Sequence, residues 1–187
     1  MAGTTTDIRI ASNALQLLGH TAITRFDEGT AGADIASALY DITYEANLTE
    51  YRWRFATKTA RLARLTEAPL EDFLYKFQLP TDLLYVIRPT VSNLSYEIYE
   101  DTIHTNSSEL TIDYIYKVPA DRLPPYYVQS LQFLLAAQFA VPVTGSESKA
   151  QLYFGMYNTQ LKKAKFTDST QRPQESFEDN PYADVRN

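Results

Sequence analysis

Tyr51-Arg-Trp-Arg-Phe-Ala-Thr-Lys58 marks the point where the periodicity of the chain changes. Before it, apolar residues recur every three to four positions, the spacing of a helix face. From Phe55 to Leu65 they alternate, Phe55, Thr57 and Thr59 against Ala56, Lys58 and Ala60, which is the period of a strand. The segment is therefore a junction between a helical part and a β part, and the chain can be read outward from it.

On the N-terminal side, Ile8, Ala11, Leu15 and Leu18 predict a helix over about 5–18, with a threonine-rich start for capping and Gly19 as its stop. A second helix over about 31–51 carries the stripe Ile35, Leu39, Ile42, Ala46 and Thr49. A separate line of Tyr40, Tyr44 and Tyr51 lies off that stripe. Two apolar faces mean that this helix packs on both sides, within the fold or against a neighbour.

On the C-terminal side, strands are expected within 55–118: after the first come Tyr75–Leu79, Leu83–Arg88, Ser95–Tyr99 and Leu110–Val118. Pro80, Pro89, Asn93 and Asn106-Ser-Ser108 separate them, as in a small antiparallel sheet or sandwich. Helices return after Pro124-Pro125, the first over about 125–141, because a residue preceding proline, here Val141, avoids helical geometry. Thr144-Gly-Ser-Glu147 reads as a capping box for a last helix over about 146–166. Its expected inner face is Leu152/Tyr153, Met156/Tyr157, Leu161 and Ala164, with Lys162, Lys163 and Lys165 in the last turn. Residues 167–187 hold two basic against five acidic residues and two prolines, too polar to fold alone. They read as an extended arm, either solvated or ordered on binding through Phe177, Pro181, Tyr182 and Val185. The expected fold class is α+β: a four-helix bundle from the N- and C-terminal helix pairs, a central small antiparallel β region, and the C-terminal arm after a domain spanning 1–166.

Composition removes much chemistry. The 187 residues include no cysteine and two histidines, which excludes disulfide scaffolds, thiolate metal sites and cysteine nucleophiles and leaves little for a histidine-rich metal centre. A net charge of −6 argues against non-specific phosphate binding. Hydrophobic residues at 44% and charged residues at 21% support an ordinary core. Met1–Asp7 offers neither the basic start nor the apolar run of a secretory leader, and no apolar run approaches the roughly 20 residues of a membrane span, so a cytoplasmically made chain with no membrane segment is expected.

No phosphate-binding glycine loop or nucleophile elbow occurs. The carboxylate pairs Asp27/Glu28, Glu71/Asp72 and Glu100/Asp101 fall in expected turns, where solvation explains them; His20 follows a helix-ending glycine and His104 lies in a strand turn. Arg52 and Arg54 flank the only tryptophan. That basic-aromatic run suits either stacking on nucleic acid or, better, a core anchor with wet arginines. The chain reads as a non-enzyme without cofactors. Fourteen tyrosines point instead to protein contacts, since a tyrosine buries a large ring and still satisfies its hydroxyl.

The order of Asp7-Ile-Arg-Ile-Ala-Ser-Asn-Ala-Leu-Gln-Leu-Leu-Gly19, Ile23-Thr-Arg-Phe-Asp-Glu28, Tyr51–Lys58, Tyr75-Lys-Phe-Gln-Leu-Pro-Thr-Asp-Leu-Leu84, Leu110-Thr-Ile-Asp-Tyr-Ile115 and Leu123-Pro-Pro-Tyr-Tyr-Val-Gln-Ser-Leu131 resembles tailed-phage head-to-tail adaptors. The specific group is the tail tubular protein A family of short-tailed phages, over about residues 7–166. The resemblance implies a structural virion protein of the tail and neck, assembled in the host bacterial cytoplasm. Twelve copies would form a ring between the portal protein and a tail nozzle of the tail tubular protein B type. Double-stranded DNA would pass through the lumen without specific binding. The resemblance carries no catalytic residues. The candidate contacts with neighbouring subunits, portal or nozzle are Tyr40, Tyr44, Tyr51, Arg52, Arg54, Phe177, Tyr182 and Val185. The alternative is a monomeric or trimeric β-rich ligand-binding module that uses Trp53 and exposed tyrosines.

Overall fold

The computed structural model describes residues 5–67, 69 and 73–171. Four helices and six strands follow in the order α1 (Thr5–Leu17), α2 (Ala31–Thr49), β1 (Thr57–Arg61), β2 (Tyr75–Gln78), β3 (Leu83–Pro89), β4 (Tyr96–Tyr99), β5 (Thr102–Thr105), β6 (Thr111–Tyr116), α3 (Pro125–Thr144) and α4 (Glu147–Ser169). The fold mixes α and β, with two three-stranded antiparallel sheets ordered β1-β6-β3 and β2-β5-β4.

Local chemistry sets the helix ends. Gly19 takes a positive φ of 83°, its N–H bonds the Gln16 carbonyl and the His20 N–H bonds the Leu15 carbonyl, the paired bonds of a glycine-terminated helix. The His20 ring then occupies the space a side chain at Gly32 would need: a Cβ there would lie 2.8 Å from Cε1. Thr30 caps α2 by accepting the Ala33 N–H at 3.3 Å.

Several expected boundaries move. Helix α2 stops at Thr49 short of 51, so Tyr51 lies beyond the helix it was expected on. Pro142 does not end α3, which runs on to Thr144. A proline this late removes only one helical bond, and the last turn closes without it: the Thr144 hydroxyl donates to the Ala140 carbonyl at 2.6 Å and the Gly145 N–H to the Val141 carbonyl at 2.8 Å. Thr144 thus belongs to α3, and the cap of α4 is Ser146, whose hydroxyl accepts the Lys149 N–H, in place of the expected Thr144–Glu147 box. At its other end α4 continues to Ser169, three residues beyond the expected stop, so the three lysines are not in its last turn. The rest of the expected arm, with Phe177, Tyr182 and Val185, lies outside the described residues.

Helix α3 sits at the centre. Tyr127, Ser130, Leu131, Leu134, Leu135, Ala136, Phe139 and Ala140 are buried, and the helix packs against α1, α2 and α4. A second, smaller core lies between the sheets, built from Phe77, Ile103, Ile112 and Tyr114. Strand β6 serves both: Ile112 and Tyr114 point into the small core and Ile115 into the helical one. The central strand of the second sheet, β5, was not expected. Thr-Ile-His-Thr carries little apolar pattern, yet all four residues are buried, so His104 stands in a strand and not in a turn. The Thr102 hydroxyl donates to the Tyr99 carbonyl and the Thr105 hydroxyl to that of Ser95, both at 2.9 Å, which is how a polar strand tolerates burial.

Trp53 joins the helical and β parts. Its ring is 0% exposed, edge-on to Tyr51 and Tyr127 at 5.0 and 5.1 Å between centroids and 5.7 Å from Phe55. Asp168, buried near the end of α4, fastens this junction. It accepts the Arg54 N–H at 3.0 Å and the Tyr126 hydroxyl at 2.9 Å. The Tyr127 hydroxyl, by contrast, is buried without a hydrogen-bond partner among the described residues. These two sites predict opposite outcomes. Asp168→Ala leaves a part-buried N–H and a part-buried hydroxyl without their acceptor and lowers unfolding free energy by about 1–2 kcal/mol, whereas Tyr127→Phe removes an unmatched buried hydroxyl and raises it by about 1 kcal/mol. Urea titration followed by fluorescence of the single tryptophan measures both.

Candidate functional site

A concavity of about 790 Å³ lies between α2, the start of β3 and the segment 117–120. The i, i+4 spacing of α2 places buried Tyr40 and Tyr44 on the floor and half-buried Asp41 and Glu45 beside them on the rim. The Tyr40 hydroxyl donates to Asp7 at 2.9 Å, and the Tyr44 hydroxyl donates to the Val118 carbonyl. Lys117 bridges Asp41 at 3.2 Å and Glu45 at 2.6 Å. Asp82 accepts from Lys58 at 2.7 Å and from the Tyr114 hydroxyl at 3.1 Å.

Charge and burial compete in each of these groups. For Lys117, burial works against the ammonium, but Glu45 and Asp41 outweigh it and raise its pKa. For Asp82, burial favours the neutral acid, yet the bonds from Lys58 and Tyr114 outweigh it and hold the carboxyl below its usual range. Burial first, then the bond to Asp82, pushes the Tyr114 phenol up to about 12. These polar groups are engaged with one another and fasten α2 to the β part. Neither histidine lines the cleft. Among the described residues, no three His, Asp or Glu side chains are grouped so as to hold a metal ion, and no helix is long and apolar enough to cross a membrane.

The residues expected at interfaces separate. Tyr40 and Tyr44, each 2% exposed, have no ring surface left for a neighbour; their side of α2 is the inner face. Of the two options for this helix, these tyrosines take packing within the fold. The stripe expected to be the main one divides: Ile35 and Leu39 are half-buried against the helical core, whereas Ile42 is 70% exposed and Ala46 and Thr49 are exposed. Tyr51 is half-buried, with Lys165 5.2 Å from its ring centroid and 3.6 Å from Glu50. Arg52 and Arg54 are exposed, while Trp53 between them has no face on which a base could stack. Phe177, Tyr182 and Val185 are outside the described residues, as is the Glu71/Asp72 pair. Glu28 organises its loop by accepting from Thr24, Arg25 and Thr30, bonds that lower its pKa.

The expected face of α4 also splits. Tyr153, Tyr157, Leu161 and Ala164 turn inward, whereas Leu152 and Met156 turn outward and remain exposed, as does Phe166. One turn of helix is 3.6 residues, so adjacent positions such as Met156 and Tyr157 stand about 100° apart and cannot share a narrow stripe. Apolar surface open to a partner includes the outer faces of α2 and α4, and in the β region Leu74, Tyr85, Val91 and Ile98 are exposed as well. No protein-family model and no curated protein matches the chain.

Six tyrosines (40, 44, 114, 126, 127 and 157) have their pKa values raised, burial being the largest cause in each. Their folded values exceed the unfolded value of about 10, so the stability they lend is complete below that pH and is lost as pH rises through the folded values. Alkaline titration should show these six phenols ionising only with unfolding, read as tyrosinate absorbance against tryptophan fluorescence. Six early-titrating phenols in a folded chain would contradict the assignment.

Proposed function

We propose that this chain is the structural subunit of a head-to-tail connector, a ring of twelve copies between portal protein and tail nozzle that continues the DNA channel of a short-tailed phage virion. Within it, the two terminal helix pairs act as a four-helix bundle bearing the β region. The observation that carries the proposal is the pair of uncovered helix faces. Ile42 on α2 and Leu152, Phe154, Met156 and Phe166 on α4 are large apolar groups left to solvent on two helix surfaces. Such surfaces belong to a subunit that is completed by neighbours. The order of residues resembling tail tubular protein A supplies the kind of assembly, and the cleft, whose charges are spent on internal ion pairs, supplies no competing chemistry. A ligand-binding module using Trp53 is disfavoured, since that ring has no surface to offer. The net charge of −6 suits a channel along which DNA slides without sticking.

Native mass of the portal complex, with and without this chain, tests the assignment. The expected gain is twelve copies of a 21.3 kDa chain, about 256 kDa. A portal that leaves the chain behind as a small free species would remove the proposal.

A further inference from the structure

The two uncovered helix faces differ in charge and in shape. On α2, Ile42 projects from a face whose neighbours one turn away are the small exposed residues Ala38 and Ala46, so it forms a single apolar knob. The charged residues of α2 are Asp34, Asp41 and Glu45; the helix has no lysine or arginine. Lys117 engages both Asp41 and Glu45, one ammonium for two carboxylates, which leaves that flank acidic. On α4, exposed Leu152 and Met156 and half-buried Phe133 of α3 line a shallow groove of about 530 Å³. Gly155 opens a notch in its floor, where a Cβ would meet nothing within 4 Å. Lys163 lies on the groove, and exposed Lys162 follows on the same helix.

We infer that the α4 groove receives the α2 knob of a second copy of this chain, Ile42 seating at the Gly155 notch and the acidic flank of α2 facing Lys162 and Lys163. This rests on the ring assignment above and specifies which faces close it. Knob and notch match as ridge and groove, the ordinary geometry of helix packing. Charge sets the pairing: α2 against α2 would oppose carboxylates, α4 against α4 would oppose ammonium groups, and α2 against α4 is the attractive combination. Because the two patches are different, the contact is heterologous. Each copy keeps one patch of either kind for the next neighbour, so the series ends only by closing on itself.

The absence of native cysteine makes the test clean. The double variant Ile42→Cys/Met156→Cys of the full chain is treated with a short bis-maleimide, alone at rising concentration and bound to the portal protein. The expected result is a ladder of covalent multimers on a denaturing gel. An equimolar mixture of the two single variants should stop at dimers, and neither single variant should link to itself. Self-linking of either single variant means a two-fold contact and overturns the inference. Assembly by native mass without 42–156 linkage overturns it too, while leaving the ring assignment standing; failure to assemble even on the portal removes both. Independently, Ile42→Lys, at a site open to solvent, should leave the melting temperature unchanged and lower the multimer fraction about tenfold or more. Wild-type assembly by that variant counts against the inference.

Discussion

Helix α3 has almost no side it can show to water. From Tyr127 to Ala140 its buried positions go all the way round the helix, and a cylinder of that kind must be enclosed. Helices α1, α2 and α4 pack around it, which fixes where the chain must go before and after the β region. The cluster of Tyr51, Trp53, Phe55 and Tyr127 is where this enclosure meets the sheets. Trp53 faces Tyr127 of α3 edge-on, and the backbone of the next residue is gripped by Asp168 from α4. One buried carboxylate thereby couples the start of the β region to the far end of the chain's last described helix.

Tyrosine does much of the remaining work, in a way that its abundance alone disguises. The hydroxyls of Tyr40, Tyr44, Tyr126, Tyr153 and Tyr157 reach Asp7, the Val118 carbonyl, Asp168, the Leu17 carbonyl and Glu50 respectively. Each bond joins segments far apart in sequence, and each phenol places a large apolar body in or against the core while its polar end finds a partner. A tyrosine-rich chain is thus a network of internal latches. On α2 and α4 the large apolar residues left outside are groups with no polar end to satisfy: Ile42, Leu152, Phe154, Met156 and Phe166.

How much was legible in the sequence follows from this division. The mixed α and β class, the change of period at Trp53 and the burial of its ring between wet arginines were all readable, because periodicity and aromatic size are local signals. The orientation of α2 was legible only in part. Ile35, Leu39 and Ile42 outrank tyrosine in apolarity, yet Ile35 and Leu39 are only half-buried and Ile42 is exposed. The tyrosines take the fully buried face because Asp7 and the Val118 carbonyl lie opposite their hydroxyls in space. Asp168 was invisible for the same reason, an ionisable residue at a core position of the stripe Tyr157, Leu161, Ala164. Strand β5 escaped because its burial depends on flanking strands that satisfy its backbone on both sides. The extra turn of α3 past Pro142 relied on one threonine hydroxyl and one left-handed glycine, neither of which a rule about prolines anticipates.

Strand β6 is a wall shared by two rooms. Its pairing with β1 and β3 holds the first sheet together, one of its faces closes the helical core and the other closes the small core between the sheets. Neither core is complete without it, so the β region is not an appendage that can loosen while the helices stay intact. A load applied to the outer sheet passes through this strand into α3 and its surroundings. The helical part and the β region are thus coupled through one shared strand, with no independent core on either side of it.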